Sequence, residues 1–155
     1  MNIIIQRVSE AEVALSGYES RSIGRGLVLL VGFEKSDTRE TVSQMIEKVL
    51  SLRVFDDSNG KMNLSVCDIT GELLAVPNFT LAASVQKGNR PSFDAALDPA
   101  RARKMYEFFF HILQESGLRC QSGVFGAHMD VTIVNQGPVT FSLNSSLLKN
   151  IPSGD

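Results

Sequence analysis

Met129-Asp130-Val131-Thr132-Ile133-Val134-Asn135-Gln136-Gly137-Pro138-Val139-Thr140-Phe141-Ser142-Leu143-Asn144 is two alternating runs joined at a Gly-Pro bond. Met129, Val131 and Ile133 alternate with Asp130 and Thr132; Val139, Phe141 and Leu143 alternate with Thr140, Ser142 and Asn144. That period of two belongs to strands with one apolar face. Proline has no N–H for a ladder and is confined to edges, bulges and strand starts. The stretch therefore reads as two strands that meet at a break, where adjacent carbonyl oxygens can be turned out of the sheet as fixed acceptors.

Upstream, residues 2–8 and 12–15 read as strands separated by a tight connection, and the continuous apolar run Leu27 to Phe33 as a buried strand. Asp37, with Glu40 three residues on, reads as a capping box before a helix striped by Val42, Met45, Ile46 and Val49. Asp57-Ser58-Asn59-Gly60 is a turn. Leu73 to Val76 and Phe79 to Ala83 read as strand on either side of Pro77, and residues 84–97 as a surface loop. A second helix starts at Asp98 and Pro99, carries the stripe Ala102, Met105, Tyr106, Phe109, Ile112 and Leu113, and closes at Gly117. Residues 146–155 read as a loose C-terminal tail behind one domain spanning 1–145. The expected class is α+β: a mostly antiparallel sheet or open barrel with two main helices packed on one face. Open sheet edges invite pairing, so a homodimer that covers them is expected.

Composition narrows the function. The chain has 155 residues, 43% hydrophobic and 21% charged, as in ordinary globular domains. No apolar run approaches the ~20 residues of a membrane span, and the start lacks the features of a signal peptide. Cys67 and Cys120 have no metal-ligand spacing and are expected to be buried thiols in a reducing, cytoplasmic setting. A net charge of −2 argues against wrapping a duplex, though a local patch suffices to touch one nucleic-acid end. His111 is placed on the polar side of the second helix, in solvent, and His128 at a strand start, where it reads as a surface residue that could line a site. No nucleophile elbow, HExxH, P-loop or GxGxxG is present. Thr80 is a candidate nucleophile without a general base in sequence reach, and its plain reading is a residue of high β-propensity.

Arg7 in Gln6-Arg7-Val8, Lys61-Met62-Asn63-Leu64, Phe79-Thr80-Leu81-Ala82, Lys87-Gly88-Asn89-Arg90-Pro91-Ser92-Phe93, Phe125-Gly126-Ala127 and Asn135-Gln136-Gly137-Pro138-Val139-Thr140 occur in order and register. In this the chain resembles the D-aminoacyl-tRNA deacylases from Met1 to about Leu143. The resemblance implies a cytoplasmic homodimer, without metal or cofactor, that hydrolyses the ester between a D-amino acid and the 3′-terminal adenosine of tRNA. It implies a cis Gly137-Pro138 bond whose carbonyl oxygens reach into the partner's site, hold the substrate ammonium and exclude L side chains. Glycine, with no side chain to clash, would be accepted, as on glycyl-tRNA mischarged on alanine tRNA. The terminal 2′-OH would assist, with Asn78, Phe79 and Thr80 at the ester, the last two mainly through backbone N–H. Phe79 and Met129 would hold adenine, Arg7 would buttress the Gly-Pro turn, and Lys87 and Arg90 would touch acceptor-end phosphates.

Two departures stand out. Pro77-Asn78 replaces the Ser-Gln usual before Phe-Thr-Leu, and Val124 replaces an arginine common before Phe-Gly-Ala. A related branch that removes L-alanine from threonine tRNA also places proline first in this motif. The rival readings are that L-alanyl editor and a catalytically silent module that binds the tRNA 3′ end.

Overall fold

The computed structural model describes residues 1–17 and 19–150. Among these residues, eight strands, two α-helices and two 3-10 turns follow one another. They are β1 (Asn2–Leu15), β2 (Arg21–Ile23), β3 (Gly26–Gly32), α1 (Arg39–Ser51), β4 (Phe55–Asp56), β5 (Met62–Leu64), β6 (Glu72–Pro77), a 3-10 turn (Phe79–Ala82), α2 (Pro99–Gln114), β7 (Cys120–Ser122), β8 (Met129–Asn144) and a last 3-10 turn (Ser145–Asn150). β1 pairs antiparallel with β2, β3 and β8, whereas β3, β6 and β7 run parallel. The Arg21 guanidinium donates to Ser122 O and so ties β2 to β7. The result is a mostly antiparallel, nearly closed barrel-like sheet carrying two helices.

The run of β3 is continuous because both its faces are buried. Leu27, Leu29 and Val31 pack with α1 and α2, while Val28 faces the barrel interior with Val8, Val13 and Val76. β1 crosses from one layer to the other. Ile3 and Ile5 face the helices, and Val8, Ala11, Val13 and Leu15 face the interior. The sequence break at 8–12 is therefore no turn. β1 is one strand: the register shift between Gln6 and Val8 comes from extra residues on the partner strand, and the shift between Val8 and Glu10 leaves an extra residue on β1 and changes its side-chain parity.

β8 is likewise a single strand, paired with β1 from Met129↔Leu15 to Asn144↔Asn2. Four further expectations are corrected. Phe79–Ala82 is a 3-10 turn, not a strand: Asn78 N–H still donates to Val31 O, but Asn78 O then accepts from Leu81 N, which turns the chain off the sheet. Thr38, not Asp37, caps α1, in a reciprocal pair with Thr41. Asp37 is buried and occupied elsewhere, accepting from the Met1 ammonium at 2.6 Å and Glu34 N at 2.6 Å. Cys67 is exposed and Cys120 half-buried, so neither is a core thiol; burial nonetheless pushes both thiols up. Ser145–Asn150 is a 3-10 turn whose Leu148 packs on the core, within the span read as a loose tail; residues 151–155 of that tail lie outside the described residues.

α2 follows the expected start, with the Asp98 carboxylate accepting from Arg101 N at 3.1 Å and Pro99 in the first turn. Among the described residues, no helix is long and apolar enough to cross a membrane.

Candidate active site

An open cleft of about 390 Å³ lies beside the 3-10 turn. Asn78 and Phe79 enter it from the turn, Val76 and Pro77 from the end of β6, and Met129, Val131 and Ile133 from β8. Gly126, Ala127 and His128 complete one side. Gly123 makes room for this wall. A Cβ there would meet Met129 Sδ at 2.7 Å and Pro77 Cδ at 3.2 Å. Pro77 is thus an apolar wall residue packed near Met129, where the usual serine would offer a hydroxyl. Among the described residues, no Asp or Glu lines the cleft.

Phe79 is 61% exposed at the mouth and packs against Phe93, ring centroids 5.2 Å apart. That contact anchors the exposed loop carrying Lys87 and Arg90, whose ends are paired through Ser84 and Ser92. Thr80 is exposed, and its hydroxyl donates to Asn78 Oδ1 at 2.5 Å. The Asn78 carboxamide is thereby oriented with its N–H₂ end left to donate. His128 is exposed, as expected, yet contributes to the cleft. His111 lies on α2, 3.5 Å from Glu115, and is not among the cleft residues.

Gly137 and Pro138 do not line this cleft. They belong to a bulge in β8. Asn135 faces Val8 and Thr140 faces Gln6, so Gln136, Gly137, Pro138 and Val139 all stand opposite Arg7. The Gly137-Pro138 bond is cis, the form the resemblance implies, and Gly137 has φ +130. Arg7, 8% exposed, holds the bulge from below: Nε donates to Gln136 O at 3.0 Å and an Nη to Val54 O at 2.8 Å. From the other side Asn135 Oδ1 accepts from Val139 N at 3.1 Å, and its amide donates to Thr140 Oγ1 at 3.0 Å. A Cβ on Gly137 would meet Val139 Cγ2 at 2.8 Å.

The structure therefore gathers Asn78, Phe79, Thr80 and Met129 around one opening and sets Gly137, Pro138 and Arg7 in a separate rigid bulge. Asn135 and Gly123 have structural roles here that sequence reading did not assign. The Asn-before-Gly-Pro pattern is a turn signal that could have flagged Asn135; Gly123 is explained only by its tertiary neighbours. Among the described residues, no group of three or more His, Cys, Asp and Glu could hold a metal.

A family model described as D-Tyr-tRNA(Tyr) deacylase matches residues 4–144. The chain belongs to this family. Its members are hydrolases. A D-aminoacyl-tRNA deacylase of Koribacter versatilis is 49% identical over 145 residues, covering 94% of this chain and 97% of the relative. A solved c-Myc DNA unwinding element binding protein is 40% identical with a TM-score of 0.86, covering 93% of this chain and 98% of its own. A solved probable eukaryotic D-amino acid tRNA deacylase, at 17% identity and a TM-score of 0.81, covers 92% of this chain and 97% of its own and shares the fold.

Proposed function

We propose that this chain hydrolyses the ester that joins a D-amino acid to the 3′-terminal adenosine of tRNA, as a chirality-proofreading enzyme of the cytoplasm acting as a homodimer. The observation that carries the reading is a mismatch between cleft and substrate. An aminoacyl ester brings an ammonium group, yet the described residues that line the cleft include no carboxylate to receive it. The acceptors built elsewhere, at Gly137 and Pro138, lie outside their own cleft and on a strand that, among the described residues, pairs only with β1. A second copy pairing against that strand would bring them to the first copy's opening. β8 also carries exposed Val134 and Phe141, apolar surface that such pairing would cover.

Two carbonyl oxygens around an ammonium make charge-assisted bonds. Main chain at that position leaves no space for an L side chain, while a D side chain points away, so rejection needs no affinity for any particular side chain. Glycine escapes the clash, and glycyl-tRNA is a substrate on this reading.

Phe79 and Met129 hold the adenine, Lys87 and Arg90 approach the phosphates, and Asn78 donates near the ester. The first N–H groups of a helical turn have no partner within it, so those of Phe79 and Thr80 can steady a developing oxyanion. The ribose 2′-OH supplies the assistance for which the cleft offers no carboxylate.

Parallel hydrolysis of D-Tyr-tRNA and L-Ala-tRNA tests the reading. Cleavage of the D ester alone supports it, and cleavage of only the L ester would transfer the chain to L-alanine editing. Binding of a 3′-aminoacyl-adenosine analogue without turnover of either would leave a silent binding module. A terminal 2′-deoxyadenosine is expected to slow cleavage by about 10²-fold or more; an unchanged rate would remove the RNA from the chemistry.

A further inference from the structure

Beside the Gly126 side of the cleft stands a cation that no motif of the sequence announces. Arg103 projects from the exposed side of α2, with Cζ 5.2 Å from the centroid of the Phe125 ring. One of its Nη atoms donates to Phe125 O at 3.4 Å. The same nitrogen would be 3.7 Å from a Cβ placed on Gly126, a residue of the cleft wall. The platform under it is fixed: Phe125 packs on Tyr106, whose hydroxyl is bonded to Ala75 O. Among the described residues Arg103 takes part in no ion pair, whereas Arg7, Arg101 and Arg119 each face a carboxylate.

We propose that Arg103 is a phosphate clamp at the rim of the cleft, gripping the RNA backbone just 5′ of the terminal nucleoside. The inference rests on the tRNA-ester reading and adds a contact to it. A nucleoside seated in the cleft must carry its 5′ phosphate out over an edge. On the Phe125–Gly126 edge it meets a guanidinium whose orientation is already set by ring and carbonyl. One long bond to Phe125 O leaves most of its five N–H donors free, and the planar fork matches a phosphate bidentately. Phe79, also of the cleft, fastens with Phe93 the loop of Lys87 and Arg90. A single strand entering the cleft would then meet more than one local cation, which a chain of net charge −2 needs in order to hold phosphates.

The test compares D-Tyr-tRNA with 3′-O-(D-tyrosyl)adenosine, which has no phosphate, in wild type, Arg103→Glu and Arg103→Lys. The ratio of kcat/KM for the tRNA to that for the nucleoside ester is expected to fall about tenfold in Arg103→Glu and much less in Arg103→Lys. The slope of log kcat/KM for the tRNA against log salt is expected to flatten by about 0.7 in Arg103→Glu. An unchanged ratio, or equal loss on both esters, would show a purely structural arginine and overturn the proposal. Failure of the wild type to cleave either ester would instead remove the hydrolase reading, and the clamp with it.

Discussion

Arg7 occupies a place on β1 that the stripe Ile3, Ile5 would give to an apolar side chain. It is tolerated there because its donors meet Gln136 O and Val54 O, with Asp56 3.4 Å away at the edge. Replacing it by alanine would leave those carbonyls unpaired and release the bulge. Arg7→Ala is expected to cost about 3 kcal/mol, read as a lower urea midpoint at unchanged slope; a shift within about 0.5 kcal/mol would contradict the buttress. Thr80 presents the opposite case. Its hydroxyl is bonded to a neutral amide oxygen, not to a base. Thr80→Ala is expected to lower kcat by less than about tenfold, whereas losing a working acid or base costs about 10²–10⁴. Complete inactivity of the folded variant would restore Thr80 as the nucleophile.

At the scale of elements, Tyr106 links α2 to the sheet. Its hydroxyl donates to Ala75 O at 2.9 Å and lies 2.8 Å from Ser122 Oγ. Burial raises the phenol well above its ordinary value of 10, outweighing the opposite pulls of the Ser122 bond and the Arg21 charge. The unfolded chain therefore loses this proton first as pH rises. From about pH 10 upward the group withdraws stability at about 1.4 kcal/mol per pH unit until the folded phenol also ionises. Urea midpoints taken from about pH 8 to about pH 11 are expected to fall steeply at the alkaline end, and Tyr106→Phe to lessen the fall; equal slopes would contradict the link.

Helices are the most legible elements, because their periodicity is local, although α1 is capped by Thr38 and not by Asp37. α2 starts at Asp98 and Pro99 and buries Ala102, Tyr106, Phe109 and Leu113, as its stripe implies. In sequence the two long strands look like four, because a bulge and a turn leave the same local trace: a polar or proline interruption of alternation. Only the pairing of β1 with β8 distinguishes them. The turn at Phe79–Ala82 was hidden for a related reason, since Phe-Thr-Leu favours a strand until Asn78 O captures Leu81 N. Arg103 was invisible because a lone arginine on a helix carries no pattern; its meaning comes from Phe125, reached through the fold.

For the whole molecule, the proposed function makes the cleft and the bulge two half-sites on one chain. The account joins them across a two-fold axis, with main-chain oxygens of Gly137 and Pro138 from one copy serving the opening of the other. Mixing two damaged chains tests this most directly. Phe79→Ala spoils the cleft but keeps the bulge, and Pro138→Ala does the reverse. After unfolding and co-refolding in equal amounts, about half of the dimers pair one of each and contain a single complete site. The account predicts that D-Tyr-tRNA cleavage, nearly absent in either variant alone, returns to about one quarter of the wild-type rate. A mixture no more active than its two components would contradict it.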